Sequence, residues 1–453
     1  MVRAHFHSLL AGALVLTLTG CAMTGDQPDY PEQTQTLVGQ VPDWSTEVDG
    51  EPVTALNDLI RSDALDQLIQ QAIDANPGLQ QTLLTLRIRE AELRQTGADR
   101  FPDVEAGFSA SDAEDSDDSY TGSVSVSWEA DLWQKIADRT AAAGKDVEQQ
   151  AELYRSARDT LAADVMSSWL ELIAQHHAIA IQQERLTTLE SNETLILQRY
   201  RNGLGTLEDL DSARSSTASA RATLESDRET LAQQERALKT LLGEVPATGS
   251  NVPGDYPAVL TPLADLPAQT LQRRPDLVAA YRAIEAADYR TSAAYKDLLP
   301  SINLQAALED VADSPSQALL TDPAWSLLGQ LTAPLFQGGE LRAAADAAEL
   351  ETAQTYQAYR ETLLDAVGEV EDALGLERSL SIRQTHIAEA LARQQSTLEQ
   401  YQASYRSGLV DILDLLSVQQ ETYDLKEQLD DLIYQRLANR IDLGLALGLG
   451  VKS

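Results

Sequence analysis

The chain has 453 residues, enough for two or more ordinary domains, and carries 34 Lys and Arg against 71 Asp and Glu for a net charge of −37. That balance argues against nucleic acid or an anionic lipid surface as a partner. It does not read as disorder, because 43% of residues are apolar and periodically placed; the 5% of aromatics, beside abundant Ala, Gln, Leu and Glu, is a long-helix composition.

Residues 1–20 read as a lipoprotein signal peptide. Arg3 supplies an early positive charge, an apolar run follows from Leu9 to Leu18, and Leu18-Thr19-Gly20-Cys21 has the small residues before a cysteine that a lipobox requires. The run is too short to span a bilayer as a helix and suits a cleavable segment. Cys21 is the only cysteine, so it has no disulfide partner within the chain and is expected to become an acylated N-terminus. Ala22 is compatible with sorting to the outer membrane. Residues 21–54, rich in Pro, Gln and Asp, read as an extended segment leading away from the lipid.

From residue 55 the chain repeats itself. Asn76-Pro77-Gly78-Leu79 matches Arg274-Pro275-Asp276-Leu277, and Phe101-Pro102 matches Leu299-Pro300. Further on, Tyr200-Arg201-Asn202-Gly203-Leu204 matches Tyr405-Arg406-Ser407-Gly408-Leu409, and Leu242-Gly243 matches Leu447-Gly448. The matches keep their order at a nearly constant offset. Shared helical composition would not hold Pro and Gly in register. The first copy spans residues 55–243, a Pro-rich linker 244–262, the second copy 263–448 and a short tail 449–453.

Each copy has one plan. A helix (Pro77 to Arg100; Pro275 to Leu299) precedes two strands, predicted at Val104–Ser111 and Tyr120–Trp128, then at Ser301–Leu308 and Ala324–Thr332. Ser123 to Trp128 alternates strictly, as a strand with two unlike faces does. Asp112 to Ser119 reads as an acidic, solvated hairpin loop. A proline-free helix follows, from about Trp133 to Asn202 and from about Glu340 to Ser407, each roughly 100 Å long. A Gly-containing turn then reverses the chain. Apolar heptads run along these helices: Val165, Leu172, Ile179, Leu186; Leu224, Leu231, Leu238; Ala366, Ala373, Leu380, Ile387; Val418, Leu425, Leu432. Seven-residue spacing predicts left-handed coiled-coil packing, and stripes this narrow suit slender helices with one face in water. After the signal no apolar stretch approaches membrane-helix length, so any membrane crossing must use strands. The fold class expected is mostly α with a small β part.

Leu266-Pro267 through Arg274-Pro275-Asp276-Leu277, together with Trp128-Glu129-Ala130-Asp131-Leu132-Trp133, resembles the signature segments of the TolC-like outer-membrane factors, in particular the lipoprotein branch of efflux channels. Gln134 stands where that family usually has glycine. The resemblance covers nearly the whole mature chain. It implies a homotrimer in which each chain gives four strands to a shared transmembrane β-barrel and its long helices to a periplasmic α-barrel. It also implies docking on a periplasmic adaptor and a proton-driven inner-membrane pump of the resistance–nodulation–division type. The protein would be a passive exit duct for small molecules such as drugs, with specificity residing largely in the pump. The alternatives are an exit duct for type I protein secretion and a non-conducting coiled-coil lipoprotein. The duplicated strand segments argue against the last.

The resemblance further implies a gate where the long helices turn back, at Gly203–Asp211 and Gly408–Asp414. Asp209 and Tyr405 match a pair that links neighbouring helices in the closed aperture; a phenol and a carboxylate can form a charge-assisted hydrogen bond. Asp414 matches one aspartate of a constriction ring. The second ring aspartate falls at Ser417, and an arginine of another closing link falls at Val410. Glu208 and Asp411 lie in the same acidic turns, although Asp411 has no clear family counterpart. The competing reading is that these acids solvate helix ends and complement helix dipoles.

No catalytic constellation stands out. Of five histidines, His5 and His7 leave with the signal, His176 and His177 point apart on a helix, and His386 stands alone. There is no nucleophile elbow and no phosphate-binding loop pattern. Neither enzyme activity nor a cofactor is expected, beyond covalent lipid on Cys21, and the barrel's own partner would be outer-membrane lipid.

Overall fold

In a computed structural model of the chain, which describes residues 28–46, 49–112, 118–249, 252–265 and 267–452, the duplication appears as helices of matching length. Helices α3 (Pro77–Ala98) and α7 (Pro275–Lys296) have 22 residues each. Helices α4 (Lys135–Arg201) and α8 (Glu340–Arg406) have 67 each, and α5 (Leu207–Leu241) and α9 (Ile412–Ala446) have 35 each. Shorter helices are α1 (Tyr30–Gly39), α2 (Asp63–Ala75) and α6 (Pro267–Arg273). Among the described residues no helix is long and apolar enough to cross a membrane. Cys21 and residues 113–117 of the acidic hairpin loop lie outside the described residues.

The chain divides into two units that cut across the two copies. The first unit comprises residues 28–40, 84–153 and 276–362 of the described chain. Its centre is an antiparallel sheet in the order β1 (Asp103–Ser111), β2 (Ser119–Glu129), β3 (Ser301–Ala312), β4 (Ala324–Thr332). Strand β3 runs four residues past the predicted Leu308, because β2 continues to pair with it through Tyr120↔Ala312.

Directly opposed residues share a face of a sheet. Val104 opposes Val126, which opposes Ala306, which opposes Leu327; Ala106, Val124, Leu308 and Trp325 form the next row. Phe108, Trp128, Leu304 and Leu331 fall on the same face by their alternation. The opposite face is mainly polar, carrying Glu105, Ser109, Ser123, Ser125, Ser127, Asn303, Gln305, Ser326 and Gln330, with Val311 and Leu328 among them. The first side is thus apolar except for Asp310, which accepts from Thr321 N–H at 2.7 Å, and much of it is uncovered within the chain: Trp325 is 78% and Leu327 72% exposed. Strands β1 and β4 are outer strands whose far edges find no partner within the sheet.

Long helices enter this unit through specific joints. Asp131 accepts hydrogen bonds from the backbone of Ile136 and Ala137 at 3.0 and 2.8 Å, capping α4. The helix therefore begins at Lys135 and not at Trp133. Trp133 instead donates from its indole to the Pro300 carbonyl at 2.7 Å, tying the strand exit to the matching joint of the second copy. Gln134 adopts φ +62°, a left-handed conformation that a side chain disfavours, which explains why glycine suits this position. Farther along, buried Thr291 and Thr352 share a hydrogen bond at 2.9 Å, and Arg290 pairs with Asp146.

The extended reading of residues 21–54 needs correction at Tyr30–Gly39, which is helix. Asp29 caps it by accepting from Glu32 N–H at 2.9 Å, and Pro31 occupies its first turn, where a missing donor costs nothing. The Tyr30 ring meets that of Tyr356 at a centroid distance of 4.8 Å, an anchor far away in sequence.

The second unit comprises described residues of 41–83, 154–275 and 363–452. Its main core joins Leu56, Leu59, Leu65 and Ile69 to Val165, Met166, Trp169, Leu172 and Ile173 of α4, Leu238 of α5 and Ile441 of α9. The predicted heptads fill this and neighbouring clusters: Leu186 packs with Leu224, and Ala366, Leu380 and Leu432 are buried. The C-terminal tail is part of the core. Val451 donates its backbone N–H to Asp159 at 3.0 Å and buries its side chain. The linker 244–262 is held by isolated bridges, Ile60↔Val259 and Glu51↔Pro262.

Candidate functional site at the helical turns

Both long hairpins reverse by the same local chemistry. After α4, Gly203 N–H reaches Tyr200 O at 3.0 Å and Leu204 N–H reaches Arg199 O at 2.9 Å. After α8, Gly408 N–H reaches Tyr405 O at 3.0 Å and Leu409 N–H reaches Ser404 O at 2.9 Å. The glycines sit at φ +73° and +74°, where a Cβ would strain the backbone; this is the closure that satisfies the last carbonyls of a helix. The turns are shorter than the sequence suggested, because the returning helices begin at Leu207 and Ile412. Most of the acidic residues therefore belong to helix starts.

Asp209 forms a capping box with Thr206. Its carboxylate accepts from Thr206 N–H at 3.0 Å, and its own N–H donates to the Thr206 hydroxyl at 3.1 Å. Those hydrogen bonds, backbone first, hold its carboxyl below the usual range, and the charge of Arg199 adds to the effect. Asp411 is the N-cap of α9, accepting from Ile412 N–H and, at 3.4 Å, from Leu413 N–H. Glu208 and Asp414 stand exposed in the first turns of α5 and α9, and Ser417 is exposed one turn beyond Asp414.

An apolar cluster binds the two turns together: Ile196, Leu210, Ala213, Ile412 and Leu415, with Leu398, Tyr401, Tyr405 and Leu416 packed around it. Within one chain Asp209 and Tyr405 do not hydrogen-bond each other. Tyr405 instead accepts from the Arg199 guanidinium at 3.1 Å, whose carbon lies 5.7 Å from the ring centre. Arg199 also donates to Leu204 O at 3.4 Å. Sequence reading missed Arg199. The available signal is a broken symmetry: the equivalent position in the second copy is Ser404. Around the same turns Leu204, Leu207, Leu409 and Leu413 are exposed.

His177 engages Asp430 through Nδ1 at 2.8 Å and the Gly254 carbonyl through Nε2 at 2.7 Å, so both ring nitrogens are occupied, and His386 is exposed.

The model of the family described as outer membrane efflux protein matches residues 68–244 and 266–449. The cation efflux system protein CusC of Escherichia coli K12 is 26% identical over 454 residues, covering 98% of this chain and 99% of that one. The probable outer membrane lipoprotein SilC of Salmonella typhimurium is 26% identical over 396 residues, covering 85% of this chain and 86% of SilC. Among solved structures, a membrane protein from Pseudomonas aeruginosa superposes with a TM-score of 0.83 at 27% identity, covering 94% of this chain and 99% of that chain. With a bipartite match over most of its length, a mostly helical fold and a four-stranded sheet apolar on one face, the chain belongs to the outer membrane efflux protein family and is an efflux channel component, not an enzyme.

Proposed function

We propose that three copies of the chain form a passive exit duct, held in the outer membrane by a shared β-barrel and continued into the periplasm by the long helices. The observation that carries this reading is the sheet. One face is apolar apart from Asp310 near the end of β3, and the sheet's outer strands leave edges unpaired. Open edges and unpaired backbone groups are not tolerated in lipid, and four strands cannot close on themselves, so several chains must contribute to one barrel. The polar face, with its serines, asparagine and glutamines, would line the water-filled lumen.

In this reading the helical turns form the periplasmic end. Tyr405 and Asp209 take part in closing it, and Asp414 points a carboxylate into the constriction. Ser417 adds no second charge there. Asp411 serves its helix as a cap. Leu204, Leu207, Leu409 and Leu413 offer an apolar landing surface for a periplasmic adaptor, which in turn engages an inner-membrane pump. The lipid on Cys21, as in a relative named a probable lipoprotein, is an auxiliary anchor. The cargo is small molecules. The exposed carboxylates Glu208 and Asp414 favour cationic ones, in line with a relative named for cation efflux.

The deciding experiment purifies the protein from outer membranes and reconstitutes it in planar bilayers. A heat-labile trimer that conducts, with cation preference falling in Asp414→Asn, supports the duct. A protein that neither trimerises nor conducts is the coiled-coil lipoprotein instead. A deletion strain that loses a secreted protein but keeps its tolerance of small toxic compounds would move the duct to type I secretion.

A further inference from the structure

Arg199 joins the two sides of the proposed gate by a polar side-chain contact, and it does so within a single chain. From the end of α4 it reaches across to α8, donating to the Tyr405 hydroxyl at 3.1 Å with its guanidinium 5.7 Å from the ring centre. A second arm donates to the Leu204 carbonyl of its own turn at 3.4 Å, and its charge acts on Asp209. We propose that Arg199 is the positioning residue of this gate, fixing the Tyr405 phenol so that its proton is presented to an acidic acceptor on a neighbouring copy of the chain. The proposal rests on the gate reading above.

The chemistry follows from the donor inventory. Guanidinium has only donors, so at this contact the phenol oxygen must accept. Among the described residues the phenol's single O–H is then given to no acceptor, which leaves it to an outside one. Asp209 makes no hydrogen bond to the guanidinium in this arrangement; one of its oxygens accepts from Thr206 N–H, and the carboxylate keeps further acceptor sites. The planar fork of Arg can hold the phenol and the turn carbonyl together, and its face can lie over the ring; an ammonium provides a point charge without that geometry. The equivalent position in the other hairpin is Ser404, so the device exists once per chain and couples the two hairpins in one direction only. Val410, in the α8–α9 turn, supplies no guanidinium, and the structure brings one from α4.

The test uses the full-length protein as trimer in planar bilayers, comparing Arg199→Gln, Arg199→Lys, Tyr405→Phe and the double variant R199Q/Y405F. If Arg199 positions Tyr405, Arg199→Gln raises the open fraction about tenfold, the lower end of what one lost hydrogen bond to a charged group gives, and matches Tyr405→Phe. The double variant then opens no further than Tyr405→Phe alone, and Arg199→Lys recovers part of the closure. Thermal melting of each trimer is measured in parallel, and an unchanged melt with a raised open fraction separates positioning from loosened packing. Tyr405→Phe opening the channel while Arg199→Gln does nothing overturns the proposal and leaves the gate reading intact. Fully additive effects in the double variant also overturn it. If neither single variant changes the open fraction, the gate reading itself fails.

Discussion

His177 and Asp430 join the linker between the two copies to the long helices. His177 Nδ1 lies 2.8 Å from Asp430, and its Nε2 lies 2.7 Å from the Gly254 carbonyl. Both partners are acceptors, so the ring makes both hydrogen bonds only as imidazolium. Tyr256 completes the group, its hydroxyl 3.1 Å from the other oxygen of Asp430 and its ring edge-on to the imidazole. Burial opposes the charge on His177, but the hydrogen bond to Asp430, the Gly254 carbonyl and the nearby charges of Asp430 and Asp255 outweigh it and raise the pKa above the ordinary histidine value. The sign of the pH effect follows. Stabilisation is fully present below the unfolded value of 6.5 and is lost as pH rises through the higher folded value. Thermal stability should therefore fall as pH rises across that window. His177→Gln should flatten the dependence there; an unchanged pH profile in that variant would remove the group as its source.

Glu377 is 2% exposed and takes Arg436 and Arg440 on a single oxygen, at 2.9 Å from the first and at 3.0 and 3.2 Å from the second. Arg440 also donates to the Val259 carbonyl at 2.6 Å, so the cluster holds the linker as well. Glu377→Ala leaves two partly buried guanidiniums without their shared anion, at a cost of about 3 kcal/mol. Denaturant unfolding of the purified protein should show a clear loss of midpoint. Double replacement of Glu377 and Arg440 by apolar residues should recover part of it.

Gln134 and Gly203 test backbone strain in opposite directions. Gln134→Gly removes a Cβ from a left-handed residue and should stabilise by about 1 kcal/mol, less the added flexibility of the unfolded chain. Gly203→Ala places a Cβ in the same region, with open space around it, and should cost about 1 kcal/mol through backbone strain alone. Melting temperatures that shift in the same direction for both variants would contradict this account.

The sheet makes a two-sided prediction. Leu327→Arg puts a charge on the apolar face and, if that face meets lipid, costs about 2 to 4 kcal/mol near mid-membrane. Its chain neighbour in Ser326→Arg faces the polar side and should be accepted. Heat-modifiable mobility of outer-membrane extracts would report both. Equal assembly of the two variants would mean that the apolar face does not meet lipid.

Cys21→Ser, expressed with an ordinary cleavable signal, should still give assembled trimers and substantial efflux, because the barrel would hold the protein in the membrane without the lipid. Loss of all trimer in that variant would make the lipid essential to assembly.

Much of the fold was legible because its signals are local. Pro77 and Pro275 start one matched pair of helices, Gly203 and Gly408 follow the ends of another, and the alternation of Ser123 to Trp128 marks a strand with two faces. Heptads identified which face of each long helix is buried. The helix at Tyr30–Gly39 was hidden because its composition resembles a linker's, and it docks through Tyr356, far along the chain. Asp209 and Asp411 were legible as acids in the turns, but only geometry showed their carboxylates capping helices.

By itself, the sequence determined the duplicated plan, the alternation of helix and strand, the turn positions and the family. These rest on periodicity and punctuation read over a few residues at a time. Only the tertiary structure decided which strand rows share an apolar face, that Arg199 reaches Tyr405, and that His177 and Glu377 hold the linker. Those contacts join residues separated by a helix pair or by a whole copy of the repeat, and packing of the folded chain sets them.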